Sequence, residues 1–208
     1  MTSQPGLRER KKERTRQALV DAATTLFASK GYDETTIADL AAAADVSPRT
    51  FFSHFASKEE VLVSDPPLRL QTIIEVLATP RPHEAPGELL LRALITAVDE
   101  DDELVAPARR QRASLILRTP SLQVGVLRKI VAAQRKLTRT LLTSYADELD
   151  PPTAAALVGA MVGALVGALS AVYAELEVPG STPADPDRIR ERLRTALTDT
   201  CRRIGVAA

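Results

Sequence analysis

TIADLAAAADVSPRTFFSHFASKEEVL, residues 36–62, is the stretch whose reading decides the fold. Ile37, Leu40 and Ala41 recur at the period of a short helix. Thr35 or Thr36 can cap its start, and Asp39 stands three residues past Thr36 in a box-like arrangement. Ala44-Asp45-Val46 is a short connection. Ser47 then caps a second short helix, with Pro48 at its first position, where a missing N–H removes no hydrogen bond. That helix runs to about His54. Ser57 caps the next one, with Glu60 three residues on. Two short helices joined by a three-residue turn make a helix-turn-helix. Ile37, Leu40, Ala41, Val46, Phe51 and Phe55 point inward and fix the angle between the two. Pro48, Arg49, Thr50, Ser53 and His54 are then free to enter a major groove.

Upstream, residues 7–30 form one helix, because Leu19, Ala22, Ala23, Leu26 and Phe27 fall on one face. Gly31 is its stop. Its N-terminal end carries Arg8, Arg10, Lys11, Lys12, Arg14 and Arg16 against Glu9 and Glu13, a run suited to phosphates or a minor groove. Downstream, the helix capped by Ser57 meets Asp65-Pro66-Pro67, which breaks or kinks it. Leu70, Ile73, Ile74 and Leu77 resume the helical period. Five more helical stretches follow, at about 87–98, 103–117, 121–148, 153–176 and 186–204, separated by proline-containing connections. The expectation is an all-α chain of nine helices: a helix-turn-helix domain at 1–60 and a helical-bundle body at 61–208.

Composition narrows the function. Lys+Arg and Asp+Glu both total 27 in 208 residues, so the chain is not a basic nucleic-acid coat. Residues 1–62 themselves hold nine basic and nine acidic side chains, so the acids must face away from any duplex. The single cysteine, Cys201, excludes an internal disulfide and fits a reducing compartment. Residues 1–6 carry no secretory signal, and a cytoplasmic protein is expected. No clustered metal-ligand spacing, phosphate loop or nucleophile–base pair stands out, so neither a metal, a cofactor nor enzymatic activity is expected. Residues 154–174 contain no charge and are long enough to span a bilayer, with Gly159, Gly163 and Gly167 at the spacing of close helix packing. Alanine and glycine dominate, however, and flanking basic residues and an aromatic belt are missing. A helix buried in the body explains the run better, and no membrane partner is expected.

Residues 14–62 resemble the TetR family of bacterial repressors. The resemblance rests on Phe27, Gly31-Tyr32, Thr35-Thr36, Ile37-Ala38, Leu40-Ala41, Ala44, Val46-Ser47, Thr50-Phe51, His54-Phe55 and Ser57-Lys58-Glu59. It implies a homodimer on double-stranded operator DNA, controlled by a small-molecule effector. The family most often has a tyrosine, touching phosphate, where this chain has Phe52. The candidate DNA-binding residues are Arg14, Thr36, Ser47, Pro48, Arg49, Thr50, Phe52, Ser53, His54 and Lys58. Arg49 is the base reader, and Thr36, Thr50, His54 and Lys58 are the phosphate contacts.

Ser47-Pro48-Arg49-Thr50-Phe51-Phe52 and the stretch from Arg112 to Leu142, with Pro120-Ser121-Leu122, also resemble the mycofactocin-regulator-like branch of that family. The branch resemblance implies a lipophilic or acyl-CoA-like effector. Leu70, Ile74, Leu94, Leu115, Leu127 and Val131 are the candidate pocket lining, each on an apolar stripe, with Arg112 and Arg118 placed to hold an anionic head group. The last two helices are the expected dimer surface, through Ile189, Leu193, Ala196, Leu197, Thr200 and Ile204 on one and the glycine ridge on the other.

Overall fold

The computed structural model describes residues 6–63, 69–104, 106–176 and 185–205, with no strand among them. These form ten α-helices: α1 Leu7–Ser29, α2 Ile37–Ala43, α3 Pro48–His54, α4 Glu60–Val63, α5 Leu70–Leu77, α6 Pro86–Asp99, α7 Pro107–Arg118, α8 Pro120–Ser144, α9 Pro151–Leu176 and α10 Pro186–Arg203. The all-α class is as expected, but the count is ten among the described residues rather than nine. The expected fourth helix is described as two, α4 and α5. Pro66 and Pro67 lack N–H donors, so an apolar period on either side of them does not require one helix. The break itself lies outside the described residues.

The chain divides into two compact units. One is Met1–Asp65 with Leu115–Gly125, the other Pro66–Ser114 with Val126–Ala208. In the first, local capping sets the helix ends. Gly31 adopts φ 92° after α1, a conformation that favours glycine. Thr36 caps α2: its hydroxyl accepts from the Asp39 N–H (3.1 Å) and its own N–H donates to the Asp39 carboxylate (2.8 Å). Thr35 instead donates its hydroxyl to the Gly31 carbonyl and is buried. Ser47 caps α3 by accepting from the Thr50 N–H at 3.1 Å, with Pro48 in the first turn.

Leu19, Val20, Ala23 and Phe27 of α1, Leu40 of α2, Phe51 of α3, Phe55, and Val61 and Leu62 of α4 make the first unit's core. Leu122, fully buried, completes that core from the start of α8, and Leu115 and Ile116 at the end of α7 pack against it. Burying a leucine of this kind contributes about 1.5–3 kcal/mol, so this distant segment is an integral part of the unit.

The second unit is built on α5, α6, α9 and α10, with Leu137, Leu141 and Tyr145 of the α8 end in the same core. α9 is long and apolar enough to cross a membrane by length and composition. Its large side chains, however, are in the protein core: Val158, Met161, Val162, Leu165, Leu169 and Val172 are buried. Along its length it leaves Ala156, Ala160, Gly163, Gly167, Ala171 and Ala174 exposed, with Pro151, Pro152, Thr153 and Ala155 exposed at its start and Glu175 at its end. α10 departs from the expected dimer surface. Ile189, Leu193, Leu197 and Cys201 are buried in this unit's own core, so that stripe packs within the subunit. Ile204 stays exposed.

Candidate DNA-binding interface

α3 is seven residues long and anchored by Phe51, which is fully buried, with Phe55 behind it. Because Phe51 points inward, Pro48, Arg49, Phe52 and Ser53 are exposed on the opposite side, while Thr50 and His54 are half-buried at the edges. Arg49 has no hydrogen bond or ion pair to another described residue. Phe52 is 55% exposed, a large ring left in solvent beside that guanidinium. The exposed Ser47 hydroxyl shares a hydrogen bond of 2.9 Å with the Thr50 hydroxyl, and Ser53 donates to the Thr50 carbonyl at 2.6 Å. The hydroxyls on this face are therefore held in fixed positions by the helix that carries them.

The basic run is helical, since α1 begins at Leu7, and Arg8, Arg10, Lys11, Lys12 and Arg14 are all exposed. An α-helix about 10–12 Å across does not fit a minor groove about 6 Å wide. These described residues suit a phosphate ridge rather than the minor groove. Arg16, half-buried, lies 5.6 Å from the Phe55 ring centre and 3.6 Å from Glu13. His54 is next to this group. Burial, then Lys12 and Arg16, push its pKa below the usual histidine value, and its Nδ1 is buried with no hydrogen-bond partner.

Several of the unit's acids are engaged internally. Asp39 accepts from Lys30 at 2.7 Å; that bond, with the Thr36 N–H and hydroxyl, holds its carboxyl well below the usual carboxylate range. Glu60 accepts from the Ala56 N–H at 2.6 Å. Glu59 accepts from the Tyr32 hydroxyl, whose pKa is raised by burial and by Glu59. Lys58, expected on a phosphate, has its ammonium directed inward: it donates to the carbonyls of Tyr32 (2.7 Å) and Thr35 (3.0 Å) and lies 4.1 Å from the Tyr32 ring centre. Lys58 and Glu59 together clamp the α1–α2 connection to the start of α4. Thr36 is exposed at the start of α2, its hydroxyl occupied in the cap.

The candidate pocket residues are dispersed. Leu94 is fully buried in the second core, and Leu70 and Ile74 pack against it. Leu115 packs on the first core. Leu127 and Val131 are exposed, at 60% and 38%, and Arg118 is exposed as well. Arg112 is 9% exposed. A groove of about 640 Å³ in the second unit is lined by other residues, among them Arg81, His83, Glu84, Leu91, Arg92 and Arg202. Sequence reasoning missed Leu122 and the inward role of Lys58, for which no local pattern in the sequence is a signal. It also missed this groove, whose walls are brought together only by tertiary packing.

Among the described residues no group of histidine, cysteine and carboxylate side chains is placed to hold a metal. The arrangement offers a short helix displaying one arginine, one aromatic ring and fixed hydroxyls, flanked by a basic helix end. That is suited to hydrogen bonding and charge in a duplex groove.

Known proteins agree with the geometry. A family model described as bacterial regulatory proteins, tetR family, matches residues 19–64. The HTH-type transcriptional regulator TcmR of Streptomyces glaucescens is 35% identical over 152 residues, covering 70% of this chain and 67% of that protein. A protein named as a mycofactocin biosynthesis transcriptional regulator, MftR of Mycobacterium tuberculosis, is 31% identical over 114 residues, covering 55% of this chain and 57% of its own. The structure of SmeT in complex with triclosan shares the fold at 20% identity and a TM-score of 0.56, over 91% of this chain and 90% of that one.

Proposed function

The chain belongs to the TetR family of bacterial transcriptional regulators, and from that premise we propose that it is a homodimeric repressor released from its operator by a small lipophilic effector. The family and these relatives are DNA-binding regulators, not enzymes. The observation that carries the reading is the exposed face of α3, where Arg49, without a partner among the described residues, stands beside Phe52 and Ser53. Arginine binds a guanine edge bidentately, and a phenyl ring matches the thymine methyl or a deoxyribose. The exposed basic side chains of α1, Arg14 among them, supply phosphate contacts.

One helix-turn-helix makes few contacts, so two copies bind half-sites about 34 Å apart. The charge-free face of α9 is the proposed meeting surface. Triclosan bound to SmeT supports a lipophilic effector on this fold, and the likeness to MftR fits the branch resemblance from which an acyl-CoA-like effector is inferred. A cytoplasmic location follows for a protein that works on operator DNA. The test is a gel shift with the DNA upstream of its own gene, repeated from 50 to 200 mM salt and with acyl-CoAs of rising chain length. The expected result is a two-fold-symmetric protected site, an affinity that falls steeply with salt, and release at one chain length. Binding indifferent to salt and sequence would refute the operator reading, and no release at any length would refute the acyl-CoA effector.

A further inference from the structure

Arg112 of α7 is buried to nine-tenths, yet it has no hydrogen bond or ion pair with any described residue. Its surroundings already account for their carboxylates. Buried Asp101 accepts from Arg109, one turn before Arg112 on the same face of α7. Asp102 and Asp187 lie 3.7 and 3.1 Å from Arg190 of α10. The Tyr173 hydroxyl of α9 donates to the Leu104 carbonyl at 2.8 Å, leaving its oxygen as an acceptor only. Both Arg109 and Arg112 are close enough to Tyr173 to lower its pKa, although burial outweighs them and pushes it up to about 12. A guanidinium does not give up its proton in a protein, and it has donors only, so it is satisfied by acceptors alone. Arg112 thus offers five N–H donors in a planar fork that no described residue engages.

We propose that Arg112 anchors the negatively charged group of the effector, a carboxylate or a phosphate carried on an apolar body. The fork of Arg112 matches two oxygens of either group, and the Tyr173 side chain of the neighbouring α9 lies near it. This rests on the effector-responsive reading above, and it specifies the chemistry that reading leaves open.

Thermal unfolding of the full chain without DNA tests the site separately from operator release. The probes are octanoate, octyl phosphate and neutral octanamide at matched ionic strength. The expected result is a rise in midpoint with one of the two anions and a smaller one with octanamide. The anion that acts tells carboxylate from phosphate. Arg112→Met, which keeps the apolar stem and removes the charge, melts no lower than the parent without ligand and loses the anion's extra rise. Arg112→Lys keeps a charge but not the fork, and its apparent affinity for the anion falls about tenfold or more. An equal rise in Arg112→Met, an unchanged affinity in Arg112→Lys, or no anion exceeding octanamide would each overturn the proposal. If the anions stabilise through Arg112 while the DNA complex is unmoved, the site stands and its coupling to the operator fails.

Discussion

α3 and α9 both turn a face outward, and they do so with opposite chemistry. α3 is seven residues long and exposes a proline, a guanidinium, an aromatic ring and a hydroxyl around one buried phenylalanine. α9 is 26 residues long and exposes a line of alanine and glycine, with every large buried side chain turned into its own core. A duplex groove presents donors, acceptors and charge, so a surface that reads it needs particular atoms. A second copy of a smooth helix presents backbone, so a surface that meets it needs the absence of atoms. Substitutions on the two faces therefore act with opposite sign: taking atoms away damages α3, and adding them damages α9.

The largest effect expected comes from adding atoms to α9. A Cβ at Gly163 would meet nothing within 4 Å in the subunit. Gly163→Leu therefore fits the isolated chain, and replacing a mid-helix glycine by a better helix former favours it by about 0.5–1 kcal/mol. In a dimer closed through this face the same side chain holds the helices apart. The expected outcome is an intact helical spectrum and thermal transition, a monomer in sedimentation, and an operator affinity lower by about a hundredfold or more as the second head is lost. A dimer of unchanged affinity would place the interface elsewhere.

Taking atoms from α3 comes next. Arg49→Ala removes an exposed side chain with no partner among the described residues, so its effect on stability is expected within about 0.5 kcal/mol. Its effect on operator binding is about 1–3 kcal/mol, concentrated at one base pair. Binding measured against single-base operator variants checks this. A uniform loss across all variants would make Arg49 a phosphate contact instead.

Lys58→Ala separates the two uses a cation can have on this unit. Its ammonium rests on two carbonyls and the Tyr32 ring, so truncation removes a link between α4 and the α1–α2 connection. A loss of about 1–2 kcal/mol in unfolding free energy is expected, with the slope of affinity against salt unchanged. A slope flatter by about one, with stability unaltered, would return Lys58 to the phosphates.

The same comparison explains what the sequence could disclose. The helix-turn-helix was legible because its ends are set by neighbours three residues apart, as with Thr36 and Asp39 or Ser47 and Thr50. Such pairs are visible in one strand of text. The partner of an apolar stripe is not. Leu115, Leu127 and Val131 lie on equally convincing stripes, yet one packs on the first core and two face solvent. Leu193 and Leu197 suit a dimer interface and are in fact interior to the subunit. Leu122 belongs to a core made mainly from residues 60 to 100 positions earlier, which no periodicity reveals. Arg112 and Arg118 are equal candidates in the sequence for an anionic head group, and only burial separates the first from the exposed second.

The smallest expected effect is at the rim of α3, where His54 lies between the two kinds of surface. Burial first, and then Lys12 and Arg16, lower its pKa in the folded chain from the usual 6.5. The unfolded chain therefore binds the proton more readily. Above about pH 6.5 both states are neutral and the group has no effect; as pH falls through that value and towards the folded one, stability is lost. Unfolding midpoints measured from pH 7.5 to 5 should show a shallow decline that His54→Gln reduces. Operator binding should respond in the other direction, because a phosphate near His54 offsets Lys12 and Arg16 and favours the imidazolium. Affinity at fixed salt should then rise modestly below pH 6.5 in the parent and stay flat in His54→Gln. If the parent's affinity is also flat while its stability declines, His54 is a packing residue at the edge of the face and not a contact with DNA.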